Sequence, residues 1–278
     1  MDVTTEKQAL NKNLRRTCKP AVVCGREPSR DLVMRSPERA AGCGATSSAG
    51  FEIDGTEEIL FALALAVEQR DHHTAGHCER LAYIGVAMGI AMGLARPRLQ
   101  SLYRGGYMHD VGKVGIPDSI LFKPGPLTAD EWVTMRSHTT RGEDICRPLK
   151  SMAPILPIIR HHHERWDGSG YPDGLKGEQI PLLARIMQIA DIYDALANPR
   201  SYKAACAPDQ ALAIIQEETR RGWRDPQIVK VFLQLHKDGL SKVVQCSIPA
   251  DRSIEGMRSS LANLQGILAA EMLPAVPS

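Results

Sequence analysis

The sequence has no long apolar run. Its longest uncharged apolar stretch, Tyr83 to Ala95, falls short of the roughly 18 residues a membrane-crossing helix needs, so no membrane span is expected. It also lacks an N-terminal apolar segment followed by a small-residue cleavage pattern. The opening MDVTTEKQALNKNLRR is polar and contains acidic residues, which argues against a secretory leader and for a cytoplasmic protein. Neither sign of charge dominates: a formal net charge of +2 gives no global attraction for nucleic acid or a membrane surface, and neither partner is expected. Any anion site must be local. The seven cysteines (18, 24, 43, 78, 146, 206 and 246) are odd in number and contain no CxxC, which excludes a disulfide framework and a cysteine-rich zinc knuckle and leaves reduced thiols. No strand-like alternation of useful length and no internal repeat is present.

What remains is a chain of 278 residues, 43% hydrophobic and 24% charged, long enough to bury a sizeable core. Residues 1–52 mix Lys and Arg with Pro, Ser, Gly and Thr without periodicity, and read as a disordered or linker-like tail. From residue 53 to about 240 the pattern is helical, and a final amphipathic helix at roughly 252–271 makes 241–278 a helical extension. Helices are expected at about 56–70, 75–92, 98–111, 128–146, 155–162, 182–197, 208–221 and 226–237. Thr128 with Glu131 forms a capping-box signature. The segment VGKVGIPDSILFKPGPL, with three prolines and three glycines, is expected to be loop. Gly85, Gly89 and Gly93 form a small-residue stripe along the second helix, suited to close approach by another helix. The fold class is therefore all-α, a helical bundle with an irregular glycine-rich loop at WDGSGYPDGL.

Chemistry concentrates on the inward ends of separate helices. His77 shares a face with Leu81, and the third helix leads to His109 and Asp110. His138 lies in the fourth. His162 follows Ile155, Ile158 and Ile159 at i, i+3, i+4, i+7, with His163 beside it, and Asp191 shares a face with Met187 and Asp194. A single helix-face histidine is more often a hydrogen-bonded core or surface residue than a ligand. Seven such groups converging in an apolar bundle are costly unless something pairs them, and metal ions do that. Imidazoles and carboxylates without thiolate suit Fe, Mn, Co, Ni or Zn, of which Fe or Mn are the ions expected. Seven ligands exceed one open site, so two divalent ions are the natural count, with Asp110 as the expected bridge. Such a pair lowers the pKa of a bound water toward about 7, presents a bridging hydroxide nucleophile and stabilises in-line attack on phosphorus. Lys113, three residues after Asp110, points into the same pocket as a candidate catalytic and phosphate-binding group.

HDVGK (109–113), HHERWDGSGYPDGL (162–175), RIMQIADIYDAL (185–196) and PRSYKAA (199–205) resemble the HD-GYP branch of the HD-domain phosphohydrolases, as do EQRDHHTAGHCER (68–80), IPDSILFKPGPLTADEW (116–132) and MRSH (135–138). The resemblance implies an HD-type bundle over about 56–233 that hydrolyses cyclic di-GMP to pGpG and, in some members, GMP. By resemblance, one metal is held by His77, His109, Asp110 and Asp191 and the other by Asp110, His138, His162 and His163. Substrate phosphate contacts fall on Lys113, Arg200 and Lys203, with Tyr171 lining the pocket. His73 stands where three-metal members carry Glu, which favours a two-metal centre, and Ser201 replaces a common proline. His161 reads as a flanking residue and Glu164 as an orienting partner for a ligand, while Gly168, Gly170, Pro172 and Gly174 fold a compact loop against the pocket. GGDEF-type cyclases or an upstream receiver protein are the partners the resemblance suggests. A homodimer through exposed apolar surface on the first helix is a further expectation. Two other readings stay open: a catalytically silent cyclic di-GMP sensor or cyclase-docking module, and an HD-domain hydrolase of another nucleotide.

Overall fold

The computed structural model describes residues 55–70, 76–198 and 205–237. The expected tail (1–52), the C-terminal extension (241–278), His73, Arg200, Ser201 and Lys203 lie outside the described residues. Within them are ten α-helices and no strand: α1 (Gly55–Arg70), α2 (His77–Ala91), α3 (Arg96–Met108), α4 (Asp118–Leu121), α5 (Ala129–Arg136), α6 (His138–Cys146), α7 (Leu156–His161), α8 (Leu182–Ala197), α9 (Pro208–Arg220) and α10 (Pro226–Lys237). None is long and apolar enough to cross a membrane. The described cysteines, Cys78, Cys146 and Cys206, are buried free thiols.

Helix α8 is the axis of the bundle. Ala184, Ile186, Met187, Ile189 and Ala190 are all fully buried, because a helix that is apolar most of the way round is stable only with neighbours on several sides. It packs against α2, α3, α7, α9 and α10. Helices α2 and α3 meet closely where both carry small residues. A methyl group at Gly106 would lie 2.5 Å from the Ala82 nitrogen, and one at Gly89 would lie 2.6 Å from Leu99 Cδ2. The glycine stripe thus serves helix contact at Gly85 and Gly89, whereas Gly93 (φ 68) ends the helix. Helix α1 is bolted to α3 by the buried Glu57, 2.9 Å from Arg104 Nη2, and by the edge-on contact of Phe61 with Tyr107.

Three boundaries differ from those expected, and each difference sits at a candidate ligand. Helix α3 stops at Met108, leaving His109 as its cap and Asp110 at the start of a 3-10 turn, Val111–Gly115. That turn and the short α4 occupy a segment expected to be loop. The capping box at Thr128 and Glu131 is formed in both directions, but the expected helix 128–146 is divided at Ser137. Ser137, His138, Thr139 and Thr140 each direct a side-chain group to the carbonyl three residues back, at 2.6, 2.7, 3.1 and 3.0 Å. Such local bonds compete with the helical ladder and favour a bend. Finally, Ile155 belongs to a 3-10 turn and His162 caps α7, although Ile155, Ile158, Ile159 and His162 are all buried as their spacing implied.

The 3-10 turn rests directly on the first turn of α6. A methyl group at Gly112 would lie 1.9 Å from the His138 carbonyl oxygen and 2.5 Å from the Gly142 nitrogen, so only glycine lets Asp110 arrive beside His138. Gly112→Ala should therefore destabilise the fold by at least ~2 kcal/mol through overpacking against backbone. Gly125→Ala, where a methyl group meets nothing within 4 Å, should stay within about 0.5 kcal/mol of the parent. Thermal or urea unfolding of the two variants checks this, and equal effects would contradict the packing argument.

Candidate metal centre

All seven expected ligands come from different parts of the chain to one place. The His77–His109, His109–His162, His138–His162, His138–His163 and His162–His163 ring centroids are 5.4, 5.1, 5.6, 5.1 and 4.1 Å apart. Ligand-capable atoms fall into two groups, each with its atoms within 4.8 Å of one another: His77, His109 and Asp191, and Asp110, His138, His162 and His163. His77 Nε2 is 3.4 Å from Asp191 Oδ1.

The ring orientations suit coordination. The Nδ1 of His109 bonds the Gly106 carbonyl at 2.9 Å, that of His138 the Met135 carbonyl at 2.7 Å, and that of His162 the Ile159 carbonyl at 2.9 Å. Donation from Nδ1 sets the tautomer that leaves Nε2 as an acceptor. In each of these residues Nε2 is buried and has no hydrogen-bond partner, and the same holds for Asp110 Oδ1. Four orphaned acceptors aimed at one another are a steep cost in a protein interior unless a cation satisfies them. The donor set therefore fits divalent metal.

Asp110 spans the two groups. Its Oδ2 is 3.3 Å from His109 Nε2 and its Oδ1 is 3.3 Å from His138 Nε2 and 3.8 Å from His162 Nε2. Lys113 Nζ lies 2.6 Å from Oδ2, so the lysine is in the pocket as its spacing implied. Burial opposes ionisation of Asp110, but the Lys113 ammonium and His109 outweigh it and hold the carboxyl well below its usual range. Burial lowers the pKa of His138, and takes His162 down to about 3 and His163 well below its ordinary value. His109 goes the other way: burial is outweighed by the negative charge of Asp110 beside it, which raises it. A narrow cleft adjoins the first group, lined by Glu68, His77, Cys78, Asp110 and Lys113 among others.

The glycine-rich loop forms the wall next to the second group. The Tyr171 ring stacks on His163 with centroids 4.9 Å apart, and the Arg136 guanidinium lies 5.0 Å from the Tyr171 centroid. Glu164 is not the ligand-orienting partner that was expected. Its buried carboxylate instead accepts from the backbone of Asp173 (2.7 Å) and Leu175 (3.1 Å), which ties the loop to the end of α7. The reason is local: a fully buried carboxylate takes the nearest amides, and the loop supplies two. Gly170 serves the same closure, since a methyl group there would lie 2.2 Å from the Arg165 nitrogen. Its close approach is to backbone, not to the pocket. His161, Glu164 and Asp173 form a third ligand-capable trio, but Arg160 grips Asp173 at 2.7 and 2.8 Å, so this trio is a fastening.

Four supporting residues were not singled out for these roles in the sequence. Gly112 seats the turn, and Glu68 accepts the His77 backbone N–H at 2.6 Å, standing in for the side-chain cap that Gly76 cannot supply. Asp194, with Arg80 donating to it, sits behind His77. The only sequence signal is the repeated spacing of three, His77 with Arg80 and Asp191 with Asp194, which places matched pairs on two facing helices.

The family model described as "HD domain" matches residues 62–228. The chain is 41% identical over 180 residues to the cyclic di-GMP phosphodiesterase response regulator RpfG of Xanthomonas campestris, covering 64% of this chain and 47% of that protein. It is 39% identical over 181 residues to a 3'3'-cGAMP-specific phosphodiesterase (number 2) of Vibrio cholerae, covering 64% of this chain and 34% of the relative. The chain thus spans less than half the length of these curated relatives. A crystal structure of a cyclic GMP-AMP-specific phosphodiesterase from V. cholerae shares the fold, with TM-score 0.53 and 23% identity over 73% of this chain and 52% of that one.

Protons compete with metal for imidazole nitrogen. Because His109 is raised and His138, His162 and His163 are lowered, acidification should first weaken the group built on His77, His109 and Asp191. Mn(II) affinity measured from about pH 8 to about pH 5.5 should fall more steeply in His163→Ala, which keeps that group, than in Asp191→Asn, which keeps the other. Equal slopes would contradict the assignment.

Proposed function

We propose, from the premise that this chain belongs to the HD domain family, that it is a metal-dependent phosphodiesterase of cyclic dinucleotides. The family model covers most of the described bundle, and the chain carries the Gly170-Tyr171-Pro172 segment on which its resemblance to the HD-GYP branch rests. Cyclic di-GMP is the substrate we assign, with pGpG and/or GMP as product. The observation that carries the reading is Asp110: its two oxygens face two histidine groups whose Nε2 atoms at His109, His138 and His162 are buried without a hydrogen-bond partner. His77, His109, Asp110 and Asp191 would hold one divalent ion, and Asp110, His138, His162 and His163 the other; Fe or Mn are the ions we assign, and the donors are equally compatible with Ni, Co or Zn. When bound, such a pair supplies an activated water and a sink for phosphoryl charge.

The chain's own groups do the rest. Two carboxylates and neutral imidazoles leave a pair of divalent ions with surplus positive charge, which matches a substrate bearing two phosphodiester anions. Lys113 keeps Asp110 ionised and sets an ammonium beside it, in position to hold a non-bridging phosphate oxygen or assist the leaving group. Tyr171, braced on His163, offers an aromatic flank to the nucleotide, and Glu164 keeps that flank in place. Arg200 and Lys203 complete the phosphate contacts in this reading.

A second substrate reading has a specific basis, because relatives named for 3'3'-cGAMP match as well as those named for cyclic di-GMP. The two are told apart by incubating protein loaded with Fe(II) or Mn(II) with cyclic di-GMP, 3'3'-cGAMP and dNTPs in parallel and resolving the products. Cleavage of cyclic di-GMP is expected. Preferential cleavage of 3'3'-cGAMP would move the assignment, and binding of cyclic di-GMP without any cleavage would favour a silent sensor. Changing His109 and Asp110 together to Ala should reduce both bound metal and turnover by at least about a hundredfold, and activity surviving that change would overturn the metal mechanism.

A further inference from the structure

The four histidines that bond through Nδ1 to a fixed acceptor are not alike. His109, His138 and His162 each use a backbone carbonyl, whereas His77 Nδ1 lies 2.7 Å from the carboxylate Oδ2 of Asp194. A carbonyl is a neutral dipole, but a carboxylate carries a full charge and makes the imidazole behind which it sits a stronger donor to metal. Asp194 is 3% exposed and is held from two other directions. Arg80 donates from Nε to Oδ1 and from Nη2 to Oδ2, the latter at 3.0 Å, and Asn198 Nδ2 reaches Oδ1 at 2.8 Å. Few positions around that carboxylate remain in which it could turn away from the ring.

We propose that Asp194 is a positioning residue for metal at His77, and that it makes the His77–His109–Asp191 position chemically unequal to the Asp110–His138–His162–His163 position. One turn of α8 then presents both a ligand, Asp191, and the group that orients the facing ligand. One turn of α2 presents both that ligand, His77, and the arginine that fixes the orienting carboxylate. The competing role is an ion pair that only fastens α2 to α8. The proposal rests on the reading of these groups as metal sites and is independent of which nucleotide is cleaved.

The test is Mn(II) titration of the full chain after chelation, reading free Mn(II) by electron paramagnetic resonance, with thermal midpoints recorded alongside. The parent should bind at two positions. Asp194→Asn should weaken one of them by about 10–100-fold and spare the other, and adding Asp191→Asn should remove no further position. Arg80→Gln, which loosens the orienting carboxylate while Asn198 still holds Oδ1, should lower the thermal midpoint and weaken the same position by less than Asp194→Asn does, sparing the other. If Asp194→Asn does not fold, Asp194→Glu retains the charge but displaces it relative to the ring, and should show the same selective weakening. Unchanged affinities in a folded Asp194 variant would overturn the proposal alone. Parallel loss of both affinities in the Arg80 and Asp194 variants would assign the pair to fastening. A parent chain that binds no Mn(II) would overturn the metal reading itself.

Discussion

Everything else in the site depends on where one carboxylate is held. Asp110 follows the last turn of α3 and begins a 3-10 turn, so its direction is set by how α3 packs and by how that turn seats. Gly106 brings α3 onto α2 at Ala82, and Gly112 brings the turn onto α6 at His138 and Gly142. Neither contact tolerates a side chain. Between them they place the two oxygens of Asp110 against His109 on one side and His138 and His162 on the other.

The energetic problem this creates defines the chemistry. Buried imidazoles with Nδ1 committed to backbone cannot rotate to find other partners, and their Nε2 atoms at His109, His138 and His162 are left unsatisfied. Burial keeps His138, His162 and His163 neutral, which is the ligand-competent form. A cluster so arranged is poorly explained by stability, because an apolar replacement would pack without the desolvation cost. It is well explained by the proposed pair of divalent ions. The loop carrying Tyr171 is then fastened by Glu164 and Arg160, and Arg160 ties it on to Glu143 of α6, so the wall beside the ligands is held by polar groups at the end of α7.

Much of this was legible in the residues. The apolar periodicity of each helix carried His77, His162 and Asp191 to inward faces, and burial of the flanking isoleucines and leucines follows directly from it. The break at Ser137 was not legible, since helix propensity says nothing of four successive side chains turning back to carbonyls. The partners of Glu164 and Asp194 were obscured for a related reason. A carboxylate's acceptor geometry is decided by which amides and rings tertiary packing delivers, and those lie 9 and 11 residues away in one case and 117 in the other. Gly112 could be read as a turn residue, but its role as the contact point between Asp110's turn and α6 required the neighbouring backbone.

The resemblance to HD-GYP proteins and the curated relatives point to cyclic dinucleotides, and the geometry at Asp110 supplies a reason why metal would be needed to act on them. The most direct test of a two-metal centre bridged by Asp110 is the anomalous diffraction of crystals grown with Mn(II), collected at the manganese edge. Two peaks about 3.5–4 Å apart are expected, one beside His77 and Asp191, the other beside His138 and His163, with Asp110 between them. A single peak, or two peaks that do not share Asp110, would contradict it.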